Sequence, residues 1–156
     1  MDAIIIFCAK YLIYIMGIAF LYIGYTTKDR ERFIRLTVVT ALLALLFLFV
    51  GRLAYDNPRP FVVTGIPPLV AHAPDNGFPS GHALAAGIMA AVVMVPSPLA
   101  GIFFWIAAVL VGAGRVLARV HHVIDVLASF LIVLVSLRLA LRVPRLFTVT
   151  RHTKDS

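Results

Sequence analysis

Long apolar stretches separated by short polar connections set the architecture of this chain. One apolar stretch runs from about Ala3 to Tyr25. A second runs from about Phe33 to Ala54 and includes the nearly unbroken Ala41–Val50. Each is close to the ~20 residues a helix needs to cross the hydrocarbon core of a bilayer. A third, from Ser80 to about Val95, is shorter and rich in Ala and Gly, the composition of a helix packed inside a membrane bundle. The tight turn Pro96-Ser97-Pro98 separates it from a fourth, about Leu99 to Leu117. A fifth follows from about Val123 to Leu141. Between the second and third lies a polar connection, Tyr55 to Pro79, containing Pro58, Pro60, Pro67, Pro68 and Pro74. Proline removes a backbone donor and clashes with the preceding turn, so this segment cannot be one regular helix. The pattern predicts an all-α protein. It would be a polytopic transmembrane helix bundle with about five spanning helices, an irregular loop between spans two and three, and one domain over 1–156.

Composition supports a bilayer as solvent: 62% of residues are hydrophobic and 13% charged, against about a quarter charged in soluble domains. The net charge of +7 alone would suit a nucleic-acid partner. The basic residues instead flank apolar runs, so no nucleic acid is expected. Lys28, Arg30, Arg32 and Arg35 follow the first span, and Arg138, Arg142, Arg145, Arg151 and Lys154 close the last. Five spans put both groups on one side, which the positive-inside rule makes cytoplasmic. The Tyr55–Pro79 connection and the Arg119–His122 turn then face the extracytoplasmic side of a cytoplasmic membrane. The only cysteine is Cys8, within an apolar run, where it reads as a small hydrophobe. The first span lacks the basic start of a signal peptide and is too long for one, so it is read as a retained helix.

The unusual polar residues gather on that opposite side. Arg52 and Arg59-Pro60 close the second span, Pro79-Ser80-Gly81-His82 opens the third, and Arg115, His121 and Asp125 surround the turn between the last two. Ionisable residues at the margins of membrane helices are costly and read as functional by default. Arginines converging without a matching number of carboxylates imply an anion, and the planar guanidinium fork suits phosphate. Ser80 is a good N-cap, and Gly81 lets a ligand approach the free amides of a helix N-terminus. His121 and Asp125 are four residues apart and would share a helix face. A carboxylate accepting the Nδ1 proton of His121 would leave the Nε2 lone pair for nucleophilic attack. His82 could protonate a leaving oxygen. A cation bridging His121 and Asp125 would be repelled by the arginines, so no metal and no cofactor is expected.

Basic residue, six residues, Arg-Pro; then Pro-Ser-Gly-His; then Ser-Arg, five residues, His, three residues, Asp: with these elements the chain resembles the type 2 phosphatidic acid phosphatases, the membrane branch of the vanadium-haloperoxidase-like superfamily. Arg52 and Arg59-Pro60, Pro79–His82, and Arg115–His121–Asp125 fill them in order. The resemblance implies a metal-independent phosphatase with His121 as nucleophile, Asp125 as its orienter and His82 as general acid. It also implies phosphate binding by Arg52, Arg59, Arg115, Ser80 and Gly81. Arg52 stands where the family usually has Lys, and Gly114 where it usually has Ser. The family core usually has six helices. Pro58-Arg59-Pro60-Phe61, then His72-Ala73-Pro74-Asp75-Asn76-Gly77-Phe78, is similar to the bacitracin-resistance type of undecaprenyl-diphosphatase, as is Phe7-Cys8-Ala9-Lys10-Tyr11. That finer resemblance implies a polyprenyl diphosphate substrate and a phosphohistidine intermediate.

Other residues have plainer readings. His122 is expected to line the interface, His72 to be a loop residue, and Arg119 to meet lipid headgroups. Lys10 either snorkels outward or lines the substrate entrance. Three functions are therefore weighed: hydrolysis of undecaprenyl diphosphate to undecaprenyl phosphate, hydrolysis of phosphatidate or phosphatidylglycerol phosphate, and non-catalytic binding of anionic lipid. The paired histidines argue against the last, because binding needs only the arginines.

Overall fold

A computed structural model describes residues 1–143. They form helices α1 (Asp2–Thr26), α2 (Arg30–Ala54), α3 (Pro60–Thr64), α4 (Gly81–Val93), α5 (Pro98–Leu117) and α6 (Val123–Arg142). Four of these, α1, α2, α5 and α6, are long and apolar enough to cross a membrane. The chain is an all-helical integral membrane protein. The third expected span is instead the 13-residue α4. At 1.5 Å per residue it reaches only about 20 Å, short of the ~30 Å hydrocarbon core. The five-residue α3 lies in the proline-rich connection. Arg138 and Arg142 fall within α6, whereas Arg145, Arg151 and Lys154 lie outside the described residues.

Polarity explains why so short a helix sits at the centre. α4 buries Ala83, Leu84, Ala86, Gly87, Ala90, Ala91, Val92 and Val93. Small side chains let α5, α6 and α2 approach its backbone, the packing that helices use when lipid supplies no hydrophobic drive. The long side chains point outward instead. Leu42, Leu45 and Phe49 of α2, with Leu127, Leu131 and Leu134 of α6, are exposed and would meet acyl chains.

The two ends of the bundle are distinct. Asp29 caps α2 by accepting from the Arg32 amide at 3.0 Å. A cavity of about 600 Å³ there is lined by Thr26–Asp29 together with Val95, Pro96 and Ser97. At the other end, the amides of Phe61 and Leu69 donate to the carbonyls of Arg119 and Ala118 at 3.2 and 3.1 Å. The proline-rich connection is thereby folded over the α5–α6 turn.

The helix α1 carries one π turn, Phe7–Tyr11, where it crosses α5. The backbones are so close that a Cβ on Gly114 would fall 2.7 Å from the Ala9 nitrogen and 2.9 Å from the Cys8 Cβ. The serine that usually stands at this position in related proteins could not fit here. The contact also places the Ala9 carbonyl 3.3 Å from Arg115 Nη1, which donates to it. Gly114→Ser should therefore push α1 away and loosen Arg115. Overpacking of this kind costs about 1–3 kcal/mol. A lower unfolding temperature in detergent together with reduced phosphatase activity is expected, and an unchanged unfolding temperature would refute the close packing.

Candidate active site

Loop, helix start and turn meet over the N-terminus of α4. The loop is held by one amide side chain. Asn76 Oδ1 accepts from the Asn57 and Phe78 amides at 3.1 and 2.8 Å, and its Nδ2 donates to the carbonyls of Tyr55 and Arg52 at 2.9 and 3.4 Å. A segment too proline-rich for regular pairing is thus pinned by an asparagine, and its orphan carbonyls at the end of α2 are partly satisfied. Gly77 passes so close to the site that a Cβ would lie 3.2 Å from Asp125 Oδ2.

Asp125 is fully buried at the third position of α6, where a carboxylate meets the unpaired amides of the first turn. Its Oδ2 accepts from the His122 amide at 2.8 Å, and its Oδ1 from Asn57 Nδ2 at 2.7 Å. His121 Nδ1 lies 3.4 Å from Oδ2, longer than those two bonds, and is buried without a hydrogen-bond partner. His121 does not share a helix face with Asp125, as four-residue spacing suggests, because α6 begins only at Val123 with His122 as its N-cap. The capping geometry turns the carboxylate back toward His121 instead.

Arg59, 2% exposed, caps α3 and crosses the site. Its Nε donates to Asp75 Oδ1 at 2.8 Å, its Nη1 to the Val120 carbonyl at 2.7 Å, and the same Nη1 lies 3.3 Å from His121 Nε2. Arg115, 3% exposed, spends Nη1 on Ala9, while its Nε and Nη2 are buried without a partner. Buried guanidinium donors left unsatisfied are costly, and an anion would satisfy them. Ser80 caps α4 by accepting from the Ala83 amide at 3.4 Å, and its backbone is tied to α6 through Ser80 N to Asp125 O at 3.2 Å and Ser129 Oγ to Ser80 O at 3.0 Å. A Cβ on Gly81 would meet nothing within 4 Å, so the space above the α4 N-terminus is open. His82, in the first turn of α4, is half-buried, with Arg115, His121, His72 and Arg59 as its titratable neighbours.

The structure therefore brings together His121, Asp125, His82, Arg59, Arg115, Ser80 and Gly81. Arg52 stands apart: it is exposed in the last turn of α2, and its recorded bond is through its carbonyl. Lys10 is exposed, with Nζ 5.3 Å from the Tyr11 ring centre. The His122 ring reaches the Pro58 carbonyl at 3.0 Å rather than only lining the interface. Arg119 adopts a left-handed backbone (φ 64°) and buries its Nε. Asn57 and Asp75 carry no spacing signal. Asp75 was visible only as part of the quoted loop motif. Among the described residues, no three His, Cys, Asp or Glu side chains group as a metal site.

Electrostatics fit an anion site. Burial, reinforced by Arg59 and Arg115, pushes His121 below its ordinary 6.5, and the opposing contact with Asp125 does not overcome this. Burial would raise the Asp75 carboxyl, but the hydrogen bond and charge of Arg59 hold it below its ordinary value.

A lipid-embedded bundle that gathers arginines, histidines and a helix N-terminus at one end defines a membrane protein with an anion-binding site. Residues 34–148 match the PAP2 superfamily, and the chain belongs to it. Over 137 residues the chain is 26% identical to undecaprenyl-diphosphatase BcrC of Bacillus subtilis (strain 168), covering 86% of this chain and 70% of that protein. It is 27% identical over 135 residues to the bacitracin transport permease protein BcrC of Bacillus licheniformis, covering 85% of this chain and 66% of that protein. LpxE of Aquifex aeolicus shares the fold with a TM-score of 0.75 at 22% identity, over 90% of this chain and 84% of LpxE. A PAP2-type phosphatidylglycerolphosphate phosphatase from Bacillus subtilis aligns with a TM-score of 0.53 at 26% identity, over 88% and 71% of the two chains. PAP2 members are phosphatases, which makes this chain a membrane phosphatase.

The lowered pKa of His121 has a kinetic sign. If a neutral His121 imidazole is required, activity persists as pH falls past 6.5 and is lost only when the buried ring protonates at a more acid pH. The acid limb of the kcat/KM profile should lie below 6.5, and a limb at or above that value would contradict the requirement.

Proposed function

We propose that the protein removes the terminal phosphate of a polyprenyl diphosphate, undecaprenyl diphosphate being the favoured substrate, through a phosphohistidine on His121. The observation that carries this reading is the pair of buried, partnerless donors on Arg115 beside an imidazole whose Nε2 is met only by an arginine N–H. A phosphoryl group would give the two Arg115 donors the acceptors they lack. His121 Nε2 attacks phosphorus as the bond to the bridging oxygen breaks, and the lipid monophosphate departs. Arg59, Arg115 and the amides at the α4 N-terminus neutralise the equatorial oxygens, and Arg52 approaches from the rim. Asp125 holds the Nδ1 proton. His82 donates a proton to the leaving oxygen, then takes one from the water that hydrolyses phospho-His121. Likeness to the undecaprenyl-diphosphatase BcrC, at modest identity, supports the diphosphate.

The second reading, phosphatidate or phosphatidylglycerol phosphate as substrate, draws on the likeness to the phosphatidylglycerolphosphate phosphatase. The catalytic side chains would be the same, and only the grip on the lipid would differ. Phosphate release measured side by side from undecaprenyl diphosphate, phosphatidate and phosphatidylglycerol phosphate separates them, with the diphosphate expected to be fastest. Excess chelator should leave turnover intact, and orthovanadate, whose five-coordinate form on His121 imitates the transition state, should inhibit.

His121→Ala should abolish any covalent phospho-enzyme. His82→Ala should slow leaving-group departure, within the 10²–10⁴-fold that acid catalysis typically contributes, roughly. The loss should be smaller for a diphosphate, whose leaving group needs a proton less, than for phosphatidate. Equal losses in single turnover would remove His82 from the acid role.

The basic first loop and tail support a site on the extracytoplasmic face of the cytoplasmic membrane. Asp56 is exposed in the loop over the site, and its side chain makes no hydrogen bond or ion pair among the described residues. In a Cys8→Ala background, Asp56→Cys should react with an impermeant thiol reagent in intact cells. Labelling only after lysis would reverse the orientation.

A further inference from the structure

A third histidine borders the site. His72 was expected to be an ordinary loop residue, yet its ring centre lies 6.0 Å from that of His121, with the planes nearly perpendicular at 81°. Its Nδ1 is 3.9 Å from Asp75 Oδ1, the oxygen that also accepts from Arg59 Nε at 2.8 Å. The side chain is only 24% exposed, and Nδ1 is buried without a hydrogen-bond partner. A loop histidine with no structural bond to make would turn its ring into water. This one is drawn inward, among groups that hold it neutral: burial, then Arg59 and Arg115, push it below its ordinary 6.5.

We propose that His72 is a further catalytic residue that binds an equatorial oxygen of the phosphoryl group while that group is joined to His121, and that Asp75 positions His72 and Arg59 together. The proposal rests on the phosphohistidine reading above. Geometry assigns the equatorial place. His121 Nε2 is one apex of the five-coordinate phosphorus, and the leaving oxygen is the other. A group serving the far apex must stand beyond the whole nitrogen–phosphorus–oxygen axis. His72, its ring centre 6.0 Å from that of His121, is placed at the His121 end of that axis, and the open space over Gly81 leaves room for the rest of the substrate. Since Nδ1 faces Asp75, Nε2 is the nitrogen left for the phosphoryl oxygen. One proton lies between them, brought by the monoanionic phosphoryl group or taken from water, and no bond to carbon or phosphorus changes at His72. The incoming negative charge offsets Arg59 and Arg115, the cations that disfavour a proton on this ring, and Asp75 favours it.

Orthovanadate is the probe, because it adopts the five-coordinate geometry without turning over. His72→Ala should lower kcat/KM by on the order of 10²–10³-fold, the usual loss for one donor to transition-state charge. The inhibition constant for vanadate should rise by a similar factor, and His72→Gln, which keeps an N–H, should recover part of both. A merely structural histidine would not make the two losses track each other. Retention of kcat/KM within about threefold in His72→Ala, or a loss of rate with vanadate affinity unchanged across the Ala and Gln variants, would overturn the assignment. A wild-type protein that vanadate does not inhibit, and that yields no phospho-enzyme stable in alkali, would instead bring down the phosphohistidine reading, and this assignment with it.

Discussion

One buried carboxylate ties the functional end of the bundle together. Asp125 is a charge without solvent contact, so it persists only because donors surround it. Those donors come from two parts of the chain: Asn57 from the proline-rich loop and the His122 amide from its own helix start. Its backbone carbonyl takes two more, from the Ser80 amide and Ser129 Oγ. The loop, the start of α4 and the start of α6 are therefore registered against a single residue. Removing the Asn57 side chain would leave one buried carboxylate oxygen without its donor, at a cost of about 1–3 kcal/mol. The same carboxylate lies 3.4 Å from the imidazole proposed as nucleophile, so under that proposal the stability of this end and its chemistry share one anchor.

Much of this was legible in the sequence. Hydrophobic run lengths found every long helix to within a few residues, because a bilayer enforces both length and polarity. The three clusters announced Arg59, Arg115, His82, His121 and Asp125, since ionisable groups stand out against apolar runs. What stayed hidden is long-range side-chain bonding inside the irregular loop. Asn57 reaches Asp125 across 68 positions and Asn76 reaches Tyr55 across 21, and no local period encodes either contact. Helical spacing gave the right partner for His121 by the wrong route, because the pairing comes from a helix cap. The run from Ser80 to about Val95 already reads as a short, packed helix, and only its end differs, at Val93.

The departures from the related pattern differ in kind. At Gly114 the missing side chain makes room for the π turn of α1, and that turn presents the carbonyl that holds Arg115. The lost hydroxyl is thus replaced by a closer fit between two helices. At position 52 the exchange of Lys for Arg falls on an exposed residue in the last turn of α2, where it disturbs none of the buried bonds.

The contact between Arg59 Nη1 and His121 Nε2 has a consequence for which molecules can react at all. With Nδ1 protonated, as the proposed mechanism requires, the Nε2 lone pair of that imidazole already faces an N–H 3.3 Å away. A neutral electrophile offers the guanidinium nothing in exchange and meets a nitrogen that is occupied. An anion draws the same N–H onto its own oxygens, and so uncovers the lone pair as it docks. Under the proposed mechanism, negative charge is then the key as well as the cargo, and the site keeps its reactivity sheathed among the neutral esters that crowd every bilayer.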